Sequence, residues 1–326
     1  MSRRIAAALI VTMILSAFYA WYVLGVDFLP ARQTEQSGAG SWRTGMPMPT
    51  ARSEVGVAAL RGELYVVGGL DKFGRTVDTV EAYDHRRDTW RRIAPLPRPL
   101  HHVGVAAAAG RLYVIGGFSG LRFRPSSSLY AYNPITDAWS RKKDLRRARG
   151  ALAAASVGRR VFAFGGVEAA GLSNRAEVYD PGANRWRRLS PLPTKRDHLA
   201  AAVVGDRIYV VGGREQALSK NLSRLEVYAV PADRWERGPS MPTPRGGLAA
   251  AALGVVVYVF GGEEPTGTFD NAEAYDTRAG RWSELRPMPN GRHGLGAAMV
   301  GGRIYVIGGG KRPGLSVSGL NQVFTP

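Results

Sequence analysis

The chain has 326 residues, is 45% hydrophobic, carries 41 glycines and no cysteine, and has a formal net charge of +18. Without cysteine there is no disulfide framework, no thiolate metal site and no cysteine nucleophile. The charge would draw nucleic acid, anionic lipid or acidic polymers, but no helix-turn-helix, zinc finger or aromatic–basic platform accompanies it, so nucleic acid is not an expected partner.

In chain order, residues 1–4 read as a cytoplasmic tail and residues 5–26 as a transmembrane signal-anchor. Ile5 to Val26 holds no charged side chain. At the helical rise such a stretch reaches about 33 Å, enough to cross a bilayer core. Arg3 and Arg4 precede it and would stay inside, while Phe18, Tyr19, Trp21 and Tyr22 cluster near the outer end as interfacial aromatics do. A cleaved signal peptide is the alternative, with Leu15, Ser16 and Ala17 as a poor cleavage site. It would give a secreted or periplasmic protein instead of a membrane-anchored, extracytoplasmic one. Residues 27–40 (DFLPARQTEQSGAG) read as a tether.

From residue 41 the chain is periodic. Trp42, Trp90, Trp139, Trp186, Trp235 and Trp282 are 48, 49, 47, 49 and 47 residues apart, and a Gly-Gly pair begins 26 residues after each, from Gly68 to Gly308. That period fits one four-stranded propeller blade. Within Arg52 to Pro97, Val55–Leu60 is a small-residue run and Leu64–Val67 a buried strand ending at Gly68-Gly69. A third strand spans Val80–Tyr83, and a fourth starts at Trp90. The first strand is alanine-rich in every repeat, as strands converging on an axis require. Tyr83, Tyr132, Tyr179, Tyr228 and Tyr275 each stand seven residues before a tryptophan and bracket a tight hairpin. Their repetition marks them as blade core.

Gly-Gly, then Tyr, then Trp, with Asp-Pro or Asn-Pro after Tyr132 and Tyr179, resembles the kelch repeat over residues 41–326. The resemblance implies an all-β, six-bladed kelch β-propeller, a scaffold that mostly serves binding and occasionally catalysis. Phe324 stands where Tyr stands elsewhere, and the chain ends without a tryptophan strand, whereas Trp42 has a strand with no repeat before it. The last blade is therefore expected to be closed by the N-terminal strand, hiding two edges.

Sixteen residues before each Gly-Gly the chain reads Arg52, Leu100, Arg149, Arg196, Arg245 and Arg292. If the inner strands surround a channel, five guanidiniums ring its mouth and select an anion, since Arg binds carboxylate or phosphate bidentately. The same arginines could instead bond to neighbouring backbone. Beside them lie Glu54, His101, Asp197, His198 and His293, with Arg214 from the loop after the fourth Gly-Gly. Three imidazoles could hold a metal, but no local spacing supports one, so no metal and no cofactor is expected. The expected function is a non-catalytic binding module for a protein or small anionic ligand at this mouth.

Two alternatives stay open. Fold and compartment resemble a sialic-acid mutarotase, and Arg with Glu or His at the mouth could open a sugar ring, although the long insertions of that family are absent. Oxidase chemistry needing a cysteine-linked tyrosine is excluded. The third reading is a basic scaffold for anionic lipid or cell-wall polymer, with Arg86, Arg87, Arg91, Arg92, Arg187 and Arg188 near the outer strands.

Overall fold

Each repeat folds into four antiparallel strands because its apolar runs are short and are separated by glycine- or Asx-centred turns. The computed structural model describes residues 38–326. The expected tail, membrane span and most of the tether lie outside the described residues. Among the described residues no helix is long and apolar enough to cross a membrane.

The six four-stranded sheets are the blades of a propeller. Blade 1 runs outward from Gly56–Leu60 through Glu63–Val67 and Val80–Asp84 to Thr89–Arg92. The inner strands of blades 2 to 6 are Gly104–Ala108, Ala153–Val157, Ala200–Val204, Ala249–Leu253 and Gly296–Val300. Blade 6 takes three strands from the C-terminal repeat and its outer strand from Ser41–Thr44, with Trp42 opposite Phe324. The expected closure is thus observed.

Small residues on the inner strands let adjacent blades touch. A Cβ added to Gly56 would come within 2.2 Å of Val105, and one added to Gly104 within 2.9 Å of Ala154. The core lies between blades in six layers; Tyr65 and Val67 of blade 1, for example, pack with Leu112, Val114 and Tyr132 of blade 2.

Two repeated devices fasten one blade to the next. The tryptophan Nε1 of each outer strand donates to a backbone carbonyl just past the previous outer strand, as from Trp139 to Ala94 at 2.8 Å and from Trp90 to Met46 at 2.8 Å. The Tyr–Trp hairpin supports this: Tyr132 pairs with Trp139, and its hydroxyl donates to Asp137 at 2.6 Å while Asp137 accepts from Ala94 N at 3.0 Å. The Gly-Gly pair is the second fastening. Gly68 and Gly69 have φ of +59° and +109°. A Cβ on Gly68 would sit 2.2 Å from the Leu100 carbonyl, which accepts from Gly69 N at 2.9 Å. Positive φ and that close approach both demand glycine.

Candidate binding site at the channel mouth

The five arginines expected to ring the mouth are sealed inside the blades, each with 0% exposure. Arg52 donates to Gly68 O at 2.6 Å, Thr79 O at 2.8 Å and Glu81 at 2.8 Å. Arg149 pairs with Glu177 at 2.6 Å, Arg196 with Glu226 at 2.5 Å and Arg245 with Glu273 at 3.0 Å. Arg292 meets the neutral Gln322 at 2.7 Å. The anion-selecting ring is therefore corrected: these guanidiniums bind carboxylates and carbonyls of their own blades, and no face is left for a ligand. Where Leu100 replaces Arg in blade 2, the partner position carries Tyr130 in place of Glu, and both are buried. Cation and acid are lost together in this blade, so no carboxylate is left buried opposite an apolar side chain. Burial lowers the guanidinium pKa throughout, and takes Arg292, which has no acid beside it, down to about 10.

Two residues after each Arg position the chain turns into the inner strand with positive φ. These residues are Glu54, His102, Ala151, His198, Gly247 and Gly294, with φ between 51° and 69°. Their backbones link hand to hand around the axis. His102 N donates to Glu54 O, Ala151 N to His102 O and His198 N to Ala151 O, each at 3.0 Å. Gly247 N donates to His198 O at 3.0 Å, Gly294 N to Gly247 O at 2.9 Å, and Val55 N closes the circle on Gly294 O at 3.3 Å. Left-handed non-glycine residues cost about 1–3 kcal/mol each and persist where the surroundings over-determine them; here the ring does so. Its three side chains of consequence are Glu54, His102 and His198. With the apolar collar of Val103, Leu152 and Leu248 they line a cavity of about 80 Å³.

The residue after each Gly-Gly lies beside the position preceding this ring, as Arg214 does beside Asp197 and Glu263 beside Gly246. Loops and ring therefore share one face, and one polar network spans it. Glu54 accepts from His102 Nε2 at 3.0 Å and from His293 Nδ1 at 3.1 Å. His293 Nε2 donates to Arg312 O at 3.1 Å, and its Nδ1 also lies 3.4 Å from Glu263. Arg214 reaches Glu263 at 2.8 Å, His198 Nε2 at 2.9 Å and Asp197 at 3.4 Å. His198 Nδ1 bonds to Asp197, and His101 Nδ1 meets His102 Nδ1 at 2.5 Å.

The protonation pattern follows from these contacts. Burial pushes Glu54 up, but His102 and His293 outweigh it and hold its carboxyl well below the usual range. Burial lowers His293, yet Glu54 and Glu263 raise it overall. Burial and then Arg214 depress His198 against the pull of Asp197. Burial and His102 take His101 down to about 3. Burial raises Asp197, and His198 and Arg214 more than reverse it.

Of the expected site residues, Glu54, His101, Asp197, His198, Arg214 and His293 do converge. His102 and Glu263, which are not among the expected site residues, join them. At the positions that directly follow the six blade Gly-Gly pairs, only Arg214 and Glu263 are charged, which is the sequence signal for Glu263. Three of the imidazoles, for which no local spacing supported a metal, fall into two sets with carboxylates: Glu54, His102 and His198, and Glu54, Glu263 and His293, each with ligand atoms within 4.8 Å of one another. Farther out, Arg75, Arg98, Arg122 and Arg124 line a cleft of about 600 Å³ between the loops of blades 1 and 2. Of the outer basic residues, Arg87, Arg91 and Arg187 are bridged to Asp84, Glu63 and Asp233.

Residues 94–239 and 151–324 match the KLHDC2/KLHL20/DRC7 Kelch-repeats domain, and residues 51–97 match the Kelch motif. The solved structure of YjhT is similar over 86% of this chain and 96% of its own, with a TM-score of 0.75 and 15% identity, a likeness of fold alone. A search of curated proteins gives no match.

Proposed function

Because the chain belongs to the kelch-repeat family, we propose that its propeller is a non-catalytic binding module whose loop-bearing face takes an acidic protein segment or small anionic ligand. The observation that carries this reading is asymmetry. The blade-fastening residues repeat around the ring, whereas the mouth carries a different side chain in almost every blade, and in repeat scaffolds function lives where repeats differ. The anionic preference rests on the cleft of Arg75, Arg98, Arg122 and Arg124, where only Arg75 is bridged to an acid, Asp71. The partner would span from this cleft to the mouth. Residues 5–26 would hold the propeller outside the cytoplasm at a membrane. Intact mass and protease accessibility on spheroplasts check this; a soluble product beginning near Phe18 would favour cleavage.

A calorimetric screen of acidic sugars and acidic peptides against wild type and Arg122→Ala/Arg124→Ala tests the binding reading. Binding that weakens at least tenfold in the double variant, with unchanged melting, is the expected outcome, since charge-assisted hydrogen bonds contribute about 1.5–3 kcal/mol each. Equal binding by both proteins would remove the cleft from the account. The carboxylate–imidazole pairs of Glu54 with His102 and His293 favour a second reading, a sugar mutarotase, because such pairs can move protons to and from a ring oxygen. Faster anomer exchange of an acidic sugar by NMR, abolished in Glu54→Gln, would select it.

A further inference from the structure

We propose that the channel mouth binds one divalent transition-metal ion of the zinc class, held by Nε2 of His102, Nε2 of His198 and a carboxylate oxygen of Glu54. The inference does not depend on the acidic-partner reading. Their ligand atoms lie within 4.8 Å of one another. Zinc takes imidazole nitrogen at about 2.0–2.1 Å and carboxylate oxygen at about 2.0–2.2 Å, so small side-chain shifts close the set around one ion. Two imidazoles and a carboxylate form a donor set typical of zinc, and they leave a fourth position. The side chains of His102 and His198 keep 6% and 12% exposure, so neither imidazole is wholly sealed from solvent.

The surroundings orient each ligand. The other nitrogen of His198 is bonded to Asp197, the other nitrogen of His102 meets His101, and the other oxygen of Glu54 accepts from His293. Outer partners of this kind fix the tautomer and aim of metal ligands. With an ion on Nε2, His102 keeps its proton on Nδ1, toward His101 Nδ1. His101 then carries its own on Nε2, which is buried without a partner in the present arrangement. The backbone circle that places Glu54, His102 and His198 pre-pays the ordering of all three.

The second set, Glu54, Glu263 and His293, does not make a second site. His293 donates from Nδ1 to Glu54 and from Nε2 to Arg312 O, so neither nitrogen offers a lone pair. It acts as a charged outer partner. Arg214 sets the affinity: its guanidinium lies 2.9 Å from His198 Nε2 and must withdraw to Glu263 and Asp197 for the ion to enter.

The test uses the full chain in mild detergent, stripped with chelator, then titrated with Zn²⁺ by calorimetry and with Co²⁺ by visible absorption. One equivalent of zinc and a four-coordinate cobalt spectrum are expected. His102→Asn and His198→Asn should each weaken zinc by more than about 100-fold, and the outer-partner variant Asp197→Asn by about 10- to 100-fold. Arg214→Gln should bind more tightly than wild type, a sign that a purely structural role for these residues would not produce. His85→Asn, remote from the mouth, should match wild type. No stoichiometric uptake, or uptake unchanged in His102→Asn and His198→Asn, overturns the proposal. If those variants fail to fold, weaker or equal binding by Arg214→Gln overturns it instead.

Discussion

Two sets of charged residues lie close together along the chain, as Arg52 does to Glu54 and Arg196 to Asp197 and His198, and they behave in opposite ways. The Arg–Glu pairs are repeated, wholly buried and closed upon themselves. The mouth network of Glu54, His102, Asp197, His198, Arg214, Glu263 and His293 is unrepeated, and draws its members from five of the six blades. A repeat scaffold spends identical residues on what every blade needs, namely attachment to itself and its neighbour. It keeps its differences for the one place where all blades meet. Charge and burial alone do not separate the two sets; repetition does.

The sharpest way to break this comparison is to add a sixth arginine. Leu100→Arg should cost more than about 4 kcal/mol, because it buries a charge with no acid opposite. Tyr130→Glu added to it should recover much of the loss, and urea unfolding of the two variants would show it. If Leu100→Arg is tolerated alone, the pairs are not obligatory. Next in size, Glu226→Ala should cost about 3–5 kcal/mol by stranding Arg196, again by urea unfolding.

Acid should separate the sets further in metal-free protein. His101 and His198 are depressed below the usual value of about 6.5, so the unfolded chain binds protons that the fold excludes and stability falls once pH drops below about 6.5. Glu54 and Asp197 are also depressed; their contribution is present above the unfolded carboxyl range and lost as pH falls through their folded values. His293 is raised, so its contribution is full below about 6.5 and fades as pH rises through its folded value. His101→Leu should flatten the decline between pH 6.5 and 4 in unfolding midpoints measured across that window. A smaller gain is expected from Gln322→Glu, which gives Arg292 the acid it lacks. About 1 kcal/mol, or roughly 2–4 °C in melting temperature, should follow.

Much of this was legible in the sequence. The tryptophan and glycine periods carry the blade plan, and the orphan Trp42 strand carries the closure, because each is a local pattern with a single geometric solution. The fate of the arginines was also legible but hidden in a second register. Glu81, Glu177, Glu226 and Glu273 each stand two residues before the blade tyrosine in four of the five blades that carry Arg, and Gln322 takes that place beside Arg292. Tyr130 stands there in the blade that carries Leu100. The convergence of Glu54 with His102, His198 and His293 was not legible in detail. It depends on the radius of the backbone circle and on which face each left-handed residue presents, and no spacing within one repeat records either.

The most direct measurement compares Glu226→Ala with His198→Asn, each assayed for unfolding free energy in urea and for zinc uptake at one pH. Glu226→Ala is expected to lose about 3–5 kcal/mol while its folded fraction still binds zinc, and His198→Asn to stay within about 1 kcal/mol of wild type while binding is lost. Equal destabilisation by both variants, with binding lost in both or in neither, would contradict the division between a repeated scaffold and an unrepeated site.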